Sequence, residues 1–282
     1  MLPSFLLALR EGIEAALIVG IVLGVLKKMN RMDRAPRVWL GVGAAAAISV
    51  IGAIVLNLVG AEFEGPGELA FEGFTMLAAA GVLTWMIFWM QKQGRRIQTG
   101  LEADVKSALA RGHAERWALF SVAFFAVVRE GLELALFLTA ANFSTSTASV
   151  DAPIVGWLGG VLGLIVAAIM GWLLFTATMK LNLRRFFQLT GVLLIVFAAG
   201  LIGHAIHEFN ELGWIPFVVA RLYDVTPIIP ETTIVGQFLK ALFGYNGDPS
   251  LTETIGYIGY FVVIFFVTRW FDRRPVVSPT SA

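Results

Sequence analysis

Apolar stretches long enough to cross a lipid bilayer recur along the whole chain. There are seven, at residues 3–26, 38–60, 69–90, 117–142, 154–178, 186–209 and 254–270. The hydrocarbon core of a bilayer is about 30 Å thick, and a helix needs about 20 apolar residues to span it. The pattern predicts an all-α, polytopic membrane protein with seven transmembrane helices.

The composition agrees with this prediction. Hydrophobic residues make up 57% of the 282 residues and charged residues 15%, and the mean hydropathy of +0.78 is too high for a soluble domain of this size. Cysteine is absent, so neither a disulfide nor a thiolate metal ligand is available. The first stretch contains Arg10, Glu11 and Glu14 and no basic segment precedes it, so we expect it to be retained as a helix and not cleaved as a signal peptide.

Basic residues are distributed unevenly between the two sides of these stretches. The segments after the first, third, fifth and seventh stretches hold 17 of the 21 Lys and Arg residues. Because basic residues accumulate on the cytoplasmic side, the N-terminus is predicted outside and the C-terminus in the cytoplasm. The outer segments then carry nine acidic residues against Arg221 and Lys240. Such an acidic surface either concentrates cations at a pore or only complements the inner positive charge.

One charged motif occurs twice. Arg-Glu-Gly-Ile-Glu at 10–14 and Arg-Glu-Gly-Leu-Glu at 129–133 lie in the first and fourth stretches, which the predicted topology makes antiparallel. We therefore predict a single transmembrane domain over 1–282, built as an inverted 3+3 helix repeat plus one C-terminal helix. The first repeat covers about 3–91, the second about 117–210, and the additional helix about 254–270.

The two motifs place six ionisable side chains inside apolar helices, where facing lipid would cost on the order of 15 to 20 kcal/mol. Residues three or four apart share a helix face, so each motif presents two carboxylates beside one guanidinium. Two interpretations are open: the ion pairs lock helices together, or the surplus carboxylates bind a cation that prefers oxygen ligands. The repetition favours a cation path with the glutamates as ligands and the arginines in support; the residues are Glu11, Glu14, Glu130, Glu133, Arg10 and Arg129.

Further candidate metal ligands lie towards the outer ends of the third and sixth stretches. Glu72 is either an interfacial residue or part of the cation path. A second group has the helical spacing i, i+3, i+4, i+7 that could bind a metal, although interfacial polar residues are the alternative; it consists of His204, His207, Glu208 and Glu211. This group lacks the His-Glu-x-x-His pattern of zinc proteases, and the chain has no phosphate loop, nucleophile elbow or nucleic-acid-binding patch. We therefore predict neither an enzyme nor a nucleic-acid partner.

Aromatic and sulfur-containing side chains cluster near the inner end of the third stretch. The tryptophans Trp85 and Trp89 are predicted to be interfacial anchors, as expected for aromatic residues at helix ends. Met86 and Met90 form either a thioether pair or, as we expect beside two tryptophans, ordinary packing.

The motifs together resemble those of the oxidase-dependent, high-affinity iron permease family, in its bacterial EfeU-type branch. The resemblance extends over nearly the whole chain and depends on Arg-Glu-Gly-Ile-Glu-Ala-Ala-Leu-Ile-Val at 10–19, Phe-Glu-Gly at 71–73, Leu-Thr-Trp-Met at 83–86 and Arg-Glu-Gly-Leu-Glu at 129–133. It implies a seven-helix iron importer of the bacterial inner membrane in which the motif glutamates, joined by Glu72, carry iron.

The resemblance further implies no permanently bound cofactor, with ferrous or ferric iron as the transported substrate. It also implies a protein partner at the outer face that oxidises or delivers the iron. Two alternatives stay open at this point. One is a proton-coupled exchanger of another divalent cation, and the other is an intramembrane metalloenzyme built on His204, His207 and Glu208.

Overall fold

The computed structural model describes residues 2–93, 100, 103–105, 107, 109, 115–144, 152–175, 183–231 and 233–272. In this part of the chain all regular elements are helices, which confirms the all-α prediction. The long helices are α1 (Leu2–Lys28), α2 (Ala35–Glu62), α3 (Pro66–Gln93), α4 (Glu115–Phe143), α5 (Ala152–Phe175), α6 (Leu183–Glu211) and α8 (Leu251–Asp272), and α7 (Ile234–Phe243) is a short one.

The long helices coincide with the seven apolar stretches, and they extend beyond them by a few residues at several ends. The predicted end of the fifth stretch, at 176–178, and the side chain of Met90 lie outside the described residues. Gly65, with φ +59°, turns the chain between α2 and α3. Pro66 then begins α3, where its missing N–H would have no helical partner in any case.

Five of the described helices are long and apolar enough to cross a membrane. They correspond to α2, α3, α5, α6 and α8, over Met32–Gly60, Pro66–Trp89, Gly156–Leu173, Arg185–Glu211 and Leu251–Trp270. The helices α1 and α4 are equally long but contain the charged motifs, so their apolar stretches are interrupted by three ionisable residues each. These charges must be compensated inside the bundle.

The helices pack crosswise between the two halves of the chain. The most extensive contacts join α1 to α5 and α2 to α4, and α3 packs against α6. The motif helices α1 and α4 also contact each other, and α3 contacts α4. The largest buried apolar cluster lies among α3, α4 and α6, with Phe137 and Leu83 fully buried in it.

The segment between α6 and α8 folds back onto the bundle. Thr233 caps the N-terminus of α7 through its side chain, and Gly244, with φ +64°, ends it. Gly244 packs against Gly200 so closely that a Cβ added to Gly200 would lie 2.6 Å from the Gly244 Cα atom. Since Gly200 lies eleven residues before the end of α6, this contact lies about 16 Å down that helix.

Candidate functional site

The first motif forms a buried ion-paired group on α1. The Arg10 side chain is 2% exposed, and its Nη1 atom lies 2.7 Å from Glu11 Oε1 while its Nη2 atom lies 2.9 Å from Glu14 Oε1. Both glutamates are buried as well. The helical spacing therefore produces the expected arrangement of one guanidinium between two carboxylates.

The second motif repeats this arrangement on α4 with a looser arginine. Arg129 Nη2 lies 2.9 Å from Glu130 Oε1, and Arg129 Nε lies 3.4 Å from Glu133 Oε1. The Arg129 side chain is 37% exposed, whereas Glu130 and Glu133 are buried. The two copies thus share their pairing but differ in the burial of the arginine.

The carboxylates of the two motifs converge between α1 and α4. One oxygen each from Glu11, Glu14 and Glu130 can be chosen so that all three lie within 4.8 Å of one another, the only such group of three among the described residues. Glu133 interacts electrostatically with Glu11 and Glu14. Four carboxylates and two guanidinium groups leave a formal charge of −2 when all are ionised.

Several oxygens in this cluster have no hydrogen-bond partner among the described residues. They are the Oε2 atoms of Glu11, Glu130 and Glu133, all buried. A buried polar atom without a partner is costly, and a buried carboxylate oxygen more so. Carboxylate oxygens are also the ligands that hard cations prefer. The arrangement can therefore bind a cation between the two motif helices.

The glycine of each motif permits a close approach to the neighbouring helix. A Cβ added to Gly12 would lie 2.6 Å from the Ala167 Cβ atom on α5, and a Cβ added to Gly131 would lie 2.6 Å from the Ser49 Cβ atom on α2. Real Cβ atoms do not approach one another so closely. Gly20 and Gly24 of α1 differ from the motif glycines, because no atom lies within 4 Å of a Cβ added to either of them.

The third helix contributes two contacts to the site that the sequence pattern does not predict. Met86 is fully buried, and its Sδ atom accepts a hydrogen bond from Arg10 Nη1 at 2.9 Å. The Arg129 Cζ atom lies over the Trp89 ring, 4.6 Å from the ring centroid. The position of Met86 and Trp89 near the inner end of α3 indicates packing and anchoring. The sequence does not predict their contacts with the arginines, because Arg10 and Arg129 lie 76 and 40 residues away.

Glu72 lies apart from the motif glutamates. It is half-buried near the start of α3 and interacts electrostatically with Glu208 and Glu68. It precedes Met86 by fourteen residues, which is about 21 Å along a helix. The buried apolar side chains of Met76, Ala79, Ala80 and Leu83 occupy the interval. A role for Glu72 in binding metal stays a prediction, and it would belong to a separate outer group.

The two histidines near the outer end of α6 lie close to oxygen atoms of the protein. His204 Nδ1 lies 3.1 Å from the Gly200 carbonyl oxygen. His207 lies between two carboxylates, with Nδ1 3.1 Å from Glu253 Oε1 and Nε2 3.3 Å from Glu211 Oε1. Glu253 is buried at the start of α8 and was not predicted, since its separation of 46 residues from His207 gives no sequence signal. Metal binding by His204, His207, Glu208 and Glu211 stays a prediction.

Long apolar helices surrounding a buried group of paired charges define a multi-pass membrane protein. Comparison with protein families extends this assignment. The family model described as "Iron permease FTR1 family" matches residues 1–273, so the chain belongs to that family.

Curated relatives cover nearly the whole chain. "Ferrous iron permease EfeU" of Yersinia pestis is 35% identical over 270 residues, which is 95% of this chain and 94% of the relative. The protein of the same name in Escherichia coli O157:H7 is 37% identical over 262 residues, 93% of both chains. "Putative inactive ferrous iron permease EfeU" of Escherichia coli strain K12 is also 37% identical over 262 residues. No solved structure gives a significant match.

Proposed function

We propose that the chain is an iron permease that imports iron across the bacterial inner membrane through the carboxylates of its two motif helices. The observation that carries the proposal is the approach of Glu11, Glu14 and Glu130 to within 4.8 Å of one another. Family membership directs the choice of cation to iron, and the curated relatives are named ferrous iron permeases.

The charge of the site supports a multivalent cation. With all four glutamates ionised and both arginines protonated, the motifs sum to −2, which one Fe²⁺ ion would neutralise. Arginine keeps its proton at any physiological pH, so a surplus of −2 is balanced either by a bound cation or by protons on the glutamates, and a bound cation would displace those protons. Fe³⁺ would leave one positive charge, so the valence at the site needs a direct test.

Seven membrane spans arranged as an inverted repeat are also part of the proposal. Exchanging α1 with α4, α2 with α5 and α3 with α6 converts the α1–α5 contact into the α4–α2 contact, and both are extensive. The same exchange relates the approach of Gly12 to Ala167 on α5 to the approach of Gly131 to Ser49 on α2. This correspondence supports an inverted repeat that includes more of each half than the two motifs.

The distribution of basic residues supports an N-terminus outside and a C-terminus in the cytoplasm. A reporter enzyme that works only in the cytoplasm should be active when fused after Arg274. A reporter enzyme that works only outside the cytoplasm should be active when inserted beside Asp151. The opposite pattern at both positions would contradict the orientation, and the same side at both positions would contradict the three spans, α5, α6 and α8, proposed between them.

The proposed path begins at the outer carboxylates of Glu68, Glu72 and Glu208 and continues inwards to the motif site. The apolar layer of Met76, Ala79, Ala80 and Leu83 separates the two groups along α3, so the helices around it must move for iron to pass. The membrane potential supplies a driving force of about 2.3 kcal/mol per charge per 100 mV, or about 4.6 kcal/mol for Fe²⁺ and about 6.9 kcal/mol for Fe³⁺.

We include in the proposal a protein at the outer face that oxidises or delivers iron. The resemblance to oxidase-dependent permeases supports it, as does the acidic character of the outer segments. In this arrangement the partner supplies iron in the valence that the motif site accepts.

Uptake of radiolabelled iron into proteoliposomes tests the proposed function. Purified protein should accumulate iron when the interior is negative, with Fe²⁺ held reduced by ascorbate in one arm and Fe³⁺ held soluble by citrate in another. Protein-free liposomes and a collapsed potential serve as controls. A flux that is driven equally by a proton gradient alone and shows no preference for iron over manganese or zinc would favour the proton-coupled exchanger instead.

A further inference from the structure

A single face of α3 contacts both motif arginines. Met86 and Trp89 are three residues apart and therefore lie on neighbouring positions of one helix face. Met86 accepts a hydrogen bond from Arg10 on α1, and the Trp89 ring lies against the guanidinium of Arg129 on α4. The third helix thus binds one arginine from each half of the chain.

These two contacts restrain the same guanidinium groups that pair with the glutamates. Arg10 Nη1 donates both to Glu11 Oε1 and to Met86 Sδ, so its donors are divided between the carboxylate and the thioether. Arg129 faces an aromatic ring, which attracts a cation through its π electrons. On that side the guanidinium nitrogen lies 3.4 Å from Glu133, the longest arginine–glutamate distance in the two motifs.

A guanidinium held by α3 leaves carboxylate oxygens available to another cation. The Oε2 atoms of Glu11, Glu130 and Glu133 lack partners while α3 holds the arginines. Without the Met86 acceptor or the Trp89 ring, each arginine would be free to pair more fully with its own glutamates. A metal ion would then have to compete with a closer guanidinium for the same oxygens.

We propose that Met86 and Trp89 are positioning residues that fix the orientation of the two arginines beside the motif carboxylates, so that the Oε2 oxygens stay unpaired, and thereby set the affinity of the site for its cation. The inference rests on the proposed iron site and assigns a role to residues that do not themselves bind the ion. The hydrogen bond of 2.7 Å between Thr84 and Tyr260 ties the same part of α3 to α8, which keeps this face of α3 in place.

The test compares variants that remove each contact with variants that keep it. Met86→Leu deletes the sulfur acceptor at nearly equal volume, whereas Met86→Gln retains an acceptor. Trp89→Leu removes the π face, whereas Trp89→Phe retains one. Matched controls are Met170→Leu, a partly buried methionine of α5, and Trp117→Leu, a tryptophan of α4 whose ring contacts Phe120.

Each variant is reconstituted, and its initial rate of iron uptake is measured against iron concentration and divided by the amount of protein inserted. Met86→Leu and Trp89→Leu should each raise the KM about tenfold, the change expected for losing a desolvated contact of this kind, with a similar maximal rate per molecule. Met86→Gln and Trp89→Phe should return the KM towards that of the unmodified protein. The two controls should leave it unchanged.

A merely structural role would lower the amount of inserted protein or its maximal rate and leave the KM as it was, and that result in both leucine variants would overturn the inference. If one leucine variant does not insert, the other carries the test. Absence of iron uptake by the unmodified protein would instead remove the proposed function, so the two failures are distinguishable.

Discussion

Replacing Glu11, Glu14, Glu130 or Glu133 singly by glutamine should nearly abolish iron uptake while the protein still inserts and folds. Glutamine keeps the size of the side chain and removes its charge, so each change lowers the surplus of the site from −2 to −1. Losing even an indirect partner of a metal ligand costs about 10- to 100-fold in affinity, and losing a ligand should cost at least as much. One glutamate remains in each altered motif to balance its arginine.

The same variants separate a cation site from a helix lock. If the motifs only joined helices, each glutamine would act only by removing one buried ion pair, and breaking a buried pair costs up to about 3 to 5 kcal/mol. Protein abundance would then fall, and uptake would fall in proportion to it. Membrane abundance and uptake should be measured together for all four variants, with Glu64→Gln, an exposed carboxylate outside the helices, as the control. Normal uptake in all four would contradict the assignment of these glutamates to the iron path.

Adding a single methyl group at either motif glycine should destabilise the bundle. Gly12→Ala and Gly131→Ala each place a Cβ 2.6 Å from the Cβ of a residue on the facing helix. Overpacking of this kind costs about 1 to 3 kcal/mol. Gly20→Ala and Gly24→Ala are matched controls on α1, because no atom lies within 4 Å of the added Cβ. These controls should be neutral or stabilising, since alanine favours a helix over glycine by about 1 kcal/mol.

Removing the opposing side chain should reverse the effect. Combining Gly12→Ala with Ala167→Gly, and Gly131→Ala with Ser49→Gly, moves the methyl group to the other helix and restores the space. The thermal unfolding midpoint of the purified protein in detergent is the measurement, and each double variant should recover much of what its glycine variant loses. If the unfolding temperature of Gly12→Ala were no lower than that of Gly20→Ala, α1 and α5 would be able to move apart at Gly12 without loss of stability.

The sequence determines the helices and the pairing inside each motif because both depend on local spacing. An apolar stretch of about 20 residues has few alternatives to a spanning helix, and Arg10 reaches Glu14 because residues four apart share a face. The observed distances of 2.7 and 2.9 Å confirm that the expected pairs form.

The meeting of the two motifs required the tertiary structure. Repetition suggested that the carboxylates converge, but no local pattern specifies which helices approach each other or how closely. The same limit explains why Trp89 was assigned to anchoring and why Gly12 had no role. Each depends on a side chain from another helix, Arg129 for the tryptophan and Ala167 for the glycine.

The crosswise packing of the helices also affects how the protein is made. The main neighbour of α1 is α5, which begins at Ala152, 124 residues after α1 ends at Lys28. At about 5 to 20 residues per second, a ribosome needs about 6 to 25 s to synthesise the intervening chain. In the proposed seven-span topology, α1 enters the membrane during that interval, before its main neighbour exists, and it carries three ionisable side chains. Pairing of Arg10 with Glu11 and Glu14 within the helix reduces these to one net charge, so the arginine that later borders the site should also ease the insertion of the nascent chain.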